Sequence, residues 1–124
     1  MAVSLTVMQV SCVIDLVRDA DQARERRARV QIDAFSQALE TYRQDVGNYP
    51  SRVEGLGALR MNPGAAGWNG PYLHKDIPRD PWGTDYQYSF NGSVPEIVSF
   101  GRDRKPGGTG ADADISSFHP TPRR

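Results

Sequence analysis

Between Asp19 and Val46 the apolar residues Val30, Ala34, Phe35, Ala38, Leu39, Tyr42 and Val46 recur at spacings of one, three and four. That recurrence draws a stripe along one side of a helix. Gln31, Asp33, Gln37, Glu40, Arg43 and Gln44 fall largely on the wetter side. No proline or glycine interrupts the run, which stops at Val-Gly-Asn-Tyr-Pro, residues 46–50. There Gly47 suits a left-handed cap and Pro50 forbids continuation. The pattern predicts a helix over 19–46, much longer than the ~11–12 residues usual in globular domains. Its first half carries mostly charge and has little to bury, so it is expected to project outward or to pack on something else.

Ser51-Arg52-Val53-Glu54 fits a capping box, in which serine and glutamate satisfy each other's free amides. A short helix is expected over 51–61, turning Val53, Leu56 and Leu59 inward. The composition then shifts to Pro63, Pro71, Pro78, Pro81, Gly64, Gly67, Gly70 and Gly83. Residues 63–85 therefore read as an ordered loop, anchored by Trp68, Tyr72, Leu73, Ile77 and Trp82. Tyr86, Tyr88 and Phe90 alternate with Gln87 and Ser89, the period of a half-buried strand. Asn91-Gly92 signals a turn, and a second strand is expected from Glu96 to Phe100. The fold class is α+β: a long helix packed on a small antiparallel sheet, with a hairpin over 85–100. An Asp/Gly-rich loop over 101–115 and a loose tail over 119–124 complete the chain.

The length of 124 residues allows one domain with one modest core. Fifteen basic residues balance fifteen acidic ones, so no global field draws the chain to nucleic acid. The cluster Arg24, Arg26, Arg27 and Arg29 is interrupted by Glu25 and preceded by Asp19 and Asp21, which favours a solvated helix face. Cys12 is the only cysteine, excluding an intrachain disulfide and a multi-cysteine zinc site. His74 and His119 show no metal-ligand spacing and read as surface residues. No nucleophile elbow, phosphate loop or zinc-protease motif occurs. A small hydrolase, the remote alternative, would need a nucleophile and base in one pocket, and Ser99 and His74 are the nearest candidates. Trp68, Tyr72 and Trp82 raise a carbohydrate-binding face, but their Pro/Gly-rich setting favours a loop-anchoring core.

Residues 1–18 form an apolar amino-terminal segment. It runs fourteen residues from Met1 without a charge and then meets Asp15, against the ~20 residues needed to span a bilayer. It also lacks the basic start and small-residue cleavage site of a secretory signal. As written, the chain is expected to be soluble, with membrane attachment only through an anchor further upstream.

The stretch "GRDRKPGGTGADADI", residues 101–115, sets Asp103, Asp112 and Asp114 among four glycines. It is either a solvated turn or a cation site. Calcium takes six to eight hard oxygen ligands in a flexible shell, which carboxylates and loop carbonyls supply. Gly107, Gly108 and Gly110 permit the backbone to fold back. The spacing is not that of an EF-hand, since Lys105 and Gly107 stand where two oxygen ligands would be.

Three segments in this order carry a family resemblance. "ALETYRQDVGNYPSRVEGLGAL" joins a helix, a Gly-x-Tyr-Pro stop and a second helix. "GPYLHKDIPRDPWGTDYQYSF" carries Asp-Pro-Trp-Gly ahead of Tyr-Gln-Tyr. The loop ending Asp-Ala-Asp-Ile comes third. Together, from about residue 20 to residue 118, the chain resembles the major pseudopilins of the type II secretion system. The resemblance implies a non-enzymatic subunit whose helix packs into a filament anchored in the inner membrane, with its sheet facing the periplasm. Filament growth would then push folded exoproteins through an outer-membrane channel. Self-assembly, minor pseudopilins and inner-membrane secretion components are the implied partners. The implied cofactor is calcium in the last loop, with side-chain ligands on Asp103, Asp112 and Asp114 and main-chain oxygens near Phe100 and Lys105. The chain departs from the family at Arg104, where glycine is usual, and Arg102, Arg104 and Lys105 cancel the three aspartates. The family's basic leader, Gly-Phe cleavage site and early glutamate are not legible before Asp15. A soluble, unanchored relative that caps or regulates the assembly is the alternative.

Overall fold

The computed structural model describes residues 2–118, with side chains from residue 13 onward. His119, the 119–124 tail and the Cys12 side chain lie outside the described residues. Helix α1 runs Ala2–Val46 without a break. The helix expected over 19–46 thus extends back through the apolar segment, because nothing between residues 2 and 46 is a helix breaker. At 1.5 Å per residue it is roughly 68 Å long. It ends where the Gly47 amide donates to Arg43 O at 2.7 Å.

Among the described side chains, it is the second half of α1 that covers the hydrophobic core. Ala28, Ile32, Phe35, Ala38, Leu39 and Tyr42 are buried, whereas Val13, Ile14, Leu16 and Val17 are exposed. The buried stripe is rotated from the expected one: Val30 is 66% exposed, and Ala34 is exposed as well. At about 100° per residue, Val30 lies on the opposite side of the helix from Ile32, which takes the core position.

The capping box forms, with Ser51 N donating to Glu54 Oε1 at 2.9 Å and Glu54 N to Ser51 Oγ at 3.1 Å. The chain then makes a 3-10 turn over Gly55–Leu59, in place of the longer helix expected over 51–61. Two glycines in five residues remove helix propensity there. Leu56 and Leu59 are buried, but Val53 points to solvent, 96% exposed. The Pro/Gly-rich loop wraps this turn. Trp68 Nε1 donates to Ala58 O at 2.8 Å, and Tyr72 N to Leu59 O at 2.7 Å. Tyr72 meets Tyr42 and Trp68 edge-on, with centroids 5.7 and 5.5 Å apart. Those aromatics anchor the loop on the helix, and Trp82 is buried too.

The sheet has three antiparallel strands in the order β1 (Gln87–Ser89), β2 (Glu96–Ser99), β3 (Ile115–Ser116). Tyr88 pairs with Ile97, and Ser99 with Ile115. Strand β3 lies at the end of the stretch expected to be loop. It is held to α1 by Arg29, whose guanidinium donates to Ser116 O at 2.7 Å. Tyr86 packs edge-on against Phe35 with centroids 5.1 Å apart and donates its hydroxyl to Gln31. Tyr88 donates to Pro50 O at 2.7 Å.

Burial raises the pKa of both Tyr86 and Tyr88. Phenols in an unfolded chain lose their protons near pH 10 (~10 for free tyrosine). The folded state keeps those protons to higher pH, so its stability is complete below the unfolded value and is lost as pH rises through the folded ones. The melting temperature is therefore expected to fall steeply above about pH 10. A Tyr86→Phe, Tyr88→Phe double variant should show a flatter alkaline limb. An unchanged alkaline slope in that variant would contradict the assignment.

Candidate functional site

The Asp/Gly-rich loop leaves β2 at Ser99 and returns at β3, so its two limbs lie side by side. Gly101 makes that approach possible: with φ +83, a Cβ there would stand 2.6 Å from Ala113 O and 3.0 Å from Ala111 O. Gly108 does the same on the other limb, where a Cβ would stand 2.6 Å from Asp112 O. Such distances exclude any side chain without moving the backbone. Arg102 N bonds across to Ala111 O at 3.0 Å.

The loop is also fastened from beneath. Buried Asp80, in the Asp-Pro-Trp-Gly turn, accepts the amides of Trp82 and Thr84 at 3.0 and 2.9 Å on Oδ1. Its Oδ2 accepts the Ser99 hydroxyl at 2.7 Å, and Ser99 Oγ accepts Gly101 N at 3.3 Å. A buried turn, a central strand and the first loop residue thus share one hydrogen-bond chain. Ser99 is completely buried in it, while His74 is exposed. The pair raised as nucleophile and base is not an accessible couple.

The three aspartates take separate partners. Asp103 Oδ1 accepts Lys105 N at 3.0 Å. Asp114 receives Gly107 N on both carboxylate oxygens at 3.1 Å. Asp112 is held by Arg102, with Nε to Oδ1 at 2.9 Å and a second bond to Oδ2 at 3.4 Å. Among the described residues, no three carboxylate, histidine or cysteine side chains converge as a ready-made metal cluster. Phe100 is half-buried at the end of β2 and Lys105 is exposed. Arg104 adopts φ +61, a left-handed conformation that suits glycine, the residue usual there in the resembled family. The donor set consists of carboxylates and carbonyls on facing limbs, and this chemistry suits a hard divalent cation.

Arg102 reaches further than the loop. Its third guanidinium nitrogen donates to Asp21 Oδ2 at 3.1 Å. Asp21 is 8% exposed on α1, while residues 13–20 of the same helix are all exposed. The bridge therefore sits where the helix leaves the domain. Spacing alone could not reveal it, since the partners are 81 residues apart. Beyond it, the exposed apolar side chains at 13, 14, 16 and 17 form the second functional candidate, an uncovered helical surface. No helix among the described residues is long and apolar enough to cross a membrane.

A family model described as type II secretion system, protein G, matches residues 15–118. The type II secretion system core protein G of Pseudomonas aeruginosa is 36% identical over 122 residues, covering 94% of this chain and 86% of the relative. That of Vibrio cholerae is 33% identical over 123 residues, covering 94% and 84%. The crystal structure of the major pseudopilin from enterohaemorrhagic Escherichia coli superimposes with a TM-score of 0.66 at 31% identity, covering 80% of this chain and 86% of that one. Matched by that family model over residues 15–118 and by these relatives over most of its length, the chain belongs to the type II secretion system protein G family, the structural major pseudopilins.

Proposed function

We propose that this pseudopilin polymerises through the projecting part of α1 into a periplasmic filament at the inner membrane. Growth of that filament helps push folded exoproteins across the outer membrane. One observation carries the reading: Val13, Ile14, Leu16 and Val17 are at least half exposed on a helix whose own domain offers them no cover. Burying such side chains against copies of the same helix recovers the hydrophobic free energy left unused in the monomer. Minor pseudopilins and inner-membrane secretion components are the further partners of this reading. The test is deletion of the gene in its native cell. Exoproteins should accumulate in the periplasm, and a Leu16→Asp allele should fail to restore their export although its domain folds. Normal export in the deletion strain would refute the proposal.

The same reading gives the loop a calcium ion. Asp103, Asp112 and Asp114 would hold it by side chains, with main-chain oxygens near Phe100 and Lys105. Bound there, it would supply a divalent charge that ties the two limbs together. The donor chemistry fits, and the missing side chains at Gly101 and Gly108 let the carbonyl oxygens of Ala111, Asp112 and Ala113 close on them. The chain's own part is to hold these limbs close through Arg102 N, Gly101 and the Asp80–Ser99 chain.

A further inference from the structure

We propose that Arg102 is a built-in rival of the calcium ion for Asp112, and that this rivalry links the loop's metal state to the root of α1. The proposal rests on the calcium reading above. Its evidence is the geometry of one guanidinium. Arg102 meets both oxygens of Asp112, at 2.9 and 3.4 Å, and with its remaining nitrogen meets Asp21 at 3.1 Å. A planar guanidinium engages two carboxylates in this way because its donors form a rigid fork. A guanidinium stays protonated at every physiological pH, so no change of pH releases it. Only another cation displaces it from Asp112.

A calcium ion on Asp112 needs lone pairs that Arg102 now occupies, and its charge repels the guanidinium. Arg102 then gives up Asp112 but keeps Asp21, so it does not have to become an unpartnered charge. Without metal, the loop is joined to α1 through Asp21, Arg102 and Asp112. With metal, Asp112 of the returning limb passes to the ion, while Arg102 still ties its own limb of the loop to Asp21 of α1. Asp21 is the buried position at which the projecting helix meets the domain. The exchange therefore releases the returning limb from the root of the helix that the filament uses and leaves the outgoing limb tied to it. The neighbouring cations are not equivalent. The Arg104 guanidinium lies toward Gly83, 3.9 Å from the Cβ position there, and Lys105 is exposed with no side-chain bond to the aspartates.

The experiment titrates calcium chloride calorimetrically into the full chain and its Arg102→Gln, Arg102→Lys and Arg104→Gln variants. Each is also melted in EGTA and in saturating calcium. Arg102→Gln should tighten calcium binding about three- to fivefold, the range set by one partly exposed ion pair. Arg102→Lys should fall between it and wild type, and Arg104→Gln should change affinity less. By linkage, Arg102→Gln should lower the melting temperature more in EGTA than in calcium. Equal affinities in wild type and Arg102→Gln would overturn the rivalry while leaving the calcium site standing. An effect of Arg104→Gln as large as that of Arg102→Gln would reduce it to general charge and overturn it too. If no form binds calcium, the metal reading fails and this inference fails with it.

Discussion

Replacing Phe35 with aspartate should leave no cooperatively folded domain at room temperature. Phe35 is 2% exposed and stands between Tyr86, edge-on at 5.1 Å, and the helix neighbours Ile32, Leu39 and Tyr42 of the same buried cluster. Removing a buried phenylalanine costs about 3–5 kcal/mol. An aspartate left among those apolar side chains has no cation to pair with, and desolvating it adds several kcal/mol more (~2 or above). Domains of this size are stable by only about 5–15 kcal/mol. The substitution removes most or all of that margin. Leu16→Asp is the matched control, because Leu16 is 63% exposed on the same helix. Its melting temperature should stay within about 2–4 °C (about ±0.5 kcal/mol) of wild type. Thermal melts followed by circular dichroism decide the matter. A Phe35→Asp protein that melts near wild type, or a Leu16→Asp protein that melts as low, would contradict the division of α1 into a core half and a free half.

That division was legible in the sequence, though its azimuth was not. The 3.6-residue recurrence and the unbroken run up to Gly47 announce the long helix. Phe35, Ala38, Leu39 and Tyr42 belong to the expected stripe and are core in the structure. Val30 lies on the far side of the helix from Ile32, and periodicity cannot tell which side the sheet will choose. Ile32 won because it shares one buried cluster with Tyr86 and Ile97. The box at Ser51 and Glu54 was also visible, but a capping box reports a start and not a length, and Gly55 and Gly57 kept the element to one tight turn. Strand β3 could not be anticipated from two residues at the end of a polar loop; it exists because the loop returns Ile115 to Ser99. The loop's aspartates stood out by composition. Their actual partners did not, since Arg102 reaches Asp112 and Asp21 only once the helix and both limbs are in place. Arg104 is the reverse case: its departure from the resembled pattern was visible, and the structure sets it at φ +61, a conformation glycine adopts without strain.

Melting in calcium against melting in EGTA should separate by about 10 °C or more if the loop holds the ion as proposed. A ligand bound only by the folded state adds about 2.7 kcal/mol at one hundred times its dissociation constant. A domain of roughly 100 residues gains about 4 °C or more for each kcal/mol. Magnesium at the same concentration should give little of this shift, because it demands near-ideal octahedral geometry that a flexible loop does not impose. Asp112→Ala removes a proposed ligand and should erase the difference. Gly108→Ala tests the backbone without touching a carboxylate. Its φ of +89 and the 2.6 Å approach to Asp112 O mean that a single methyl must displace the backbone at Asp112. The variant should therefore lose most of the calcium response while the buried helix–sheet core, which it does not touch, still folds. A wild-type protein that melts at one temperature in both buffers has no stabilising ion in this loop, and the three aspartates are then a solvated turn held by Arg102, Lys105 and Gly107.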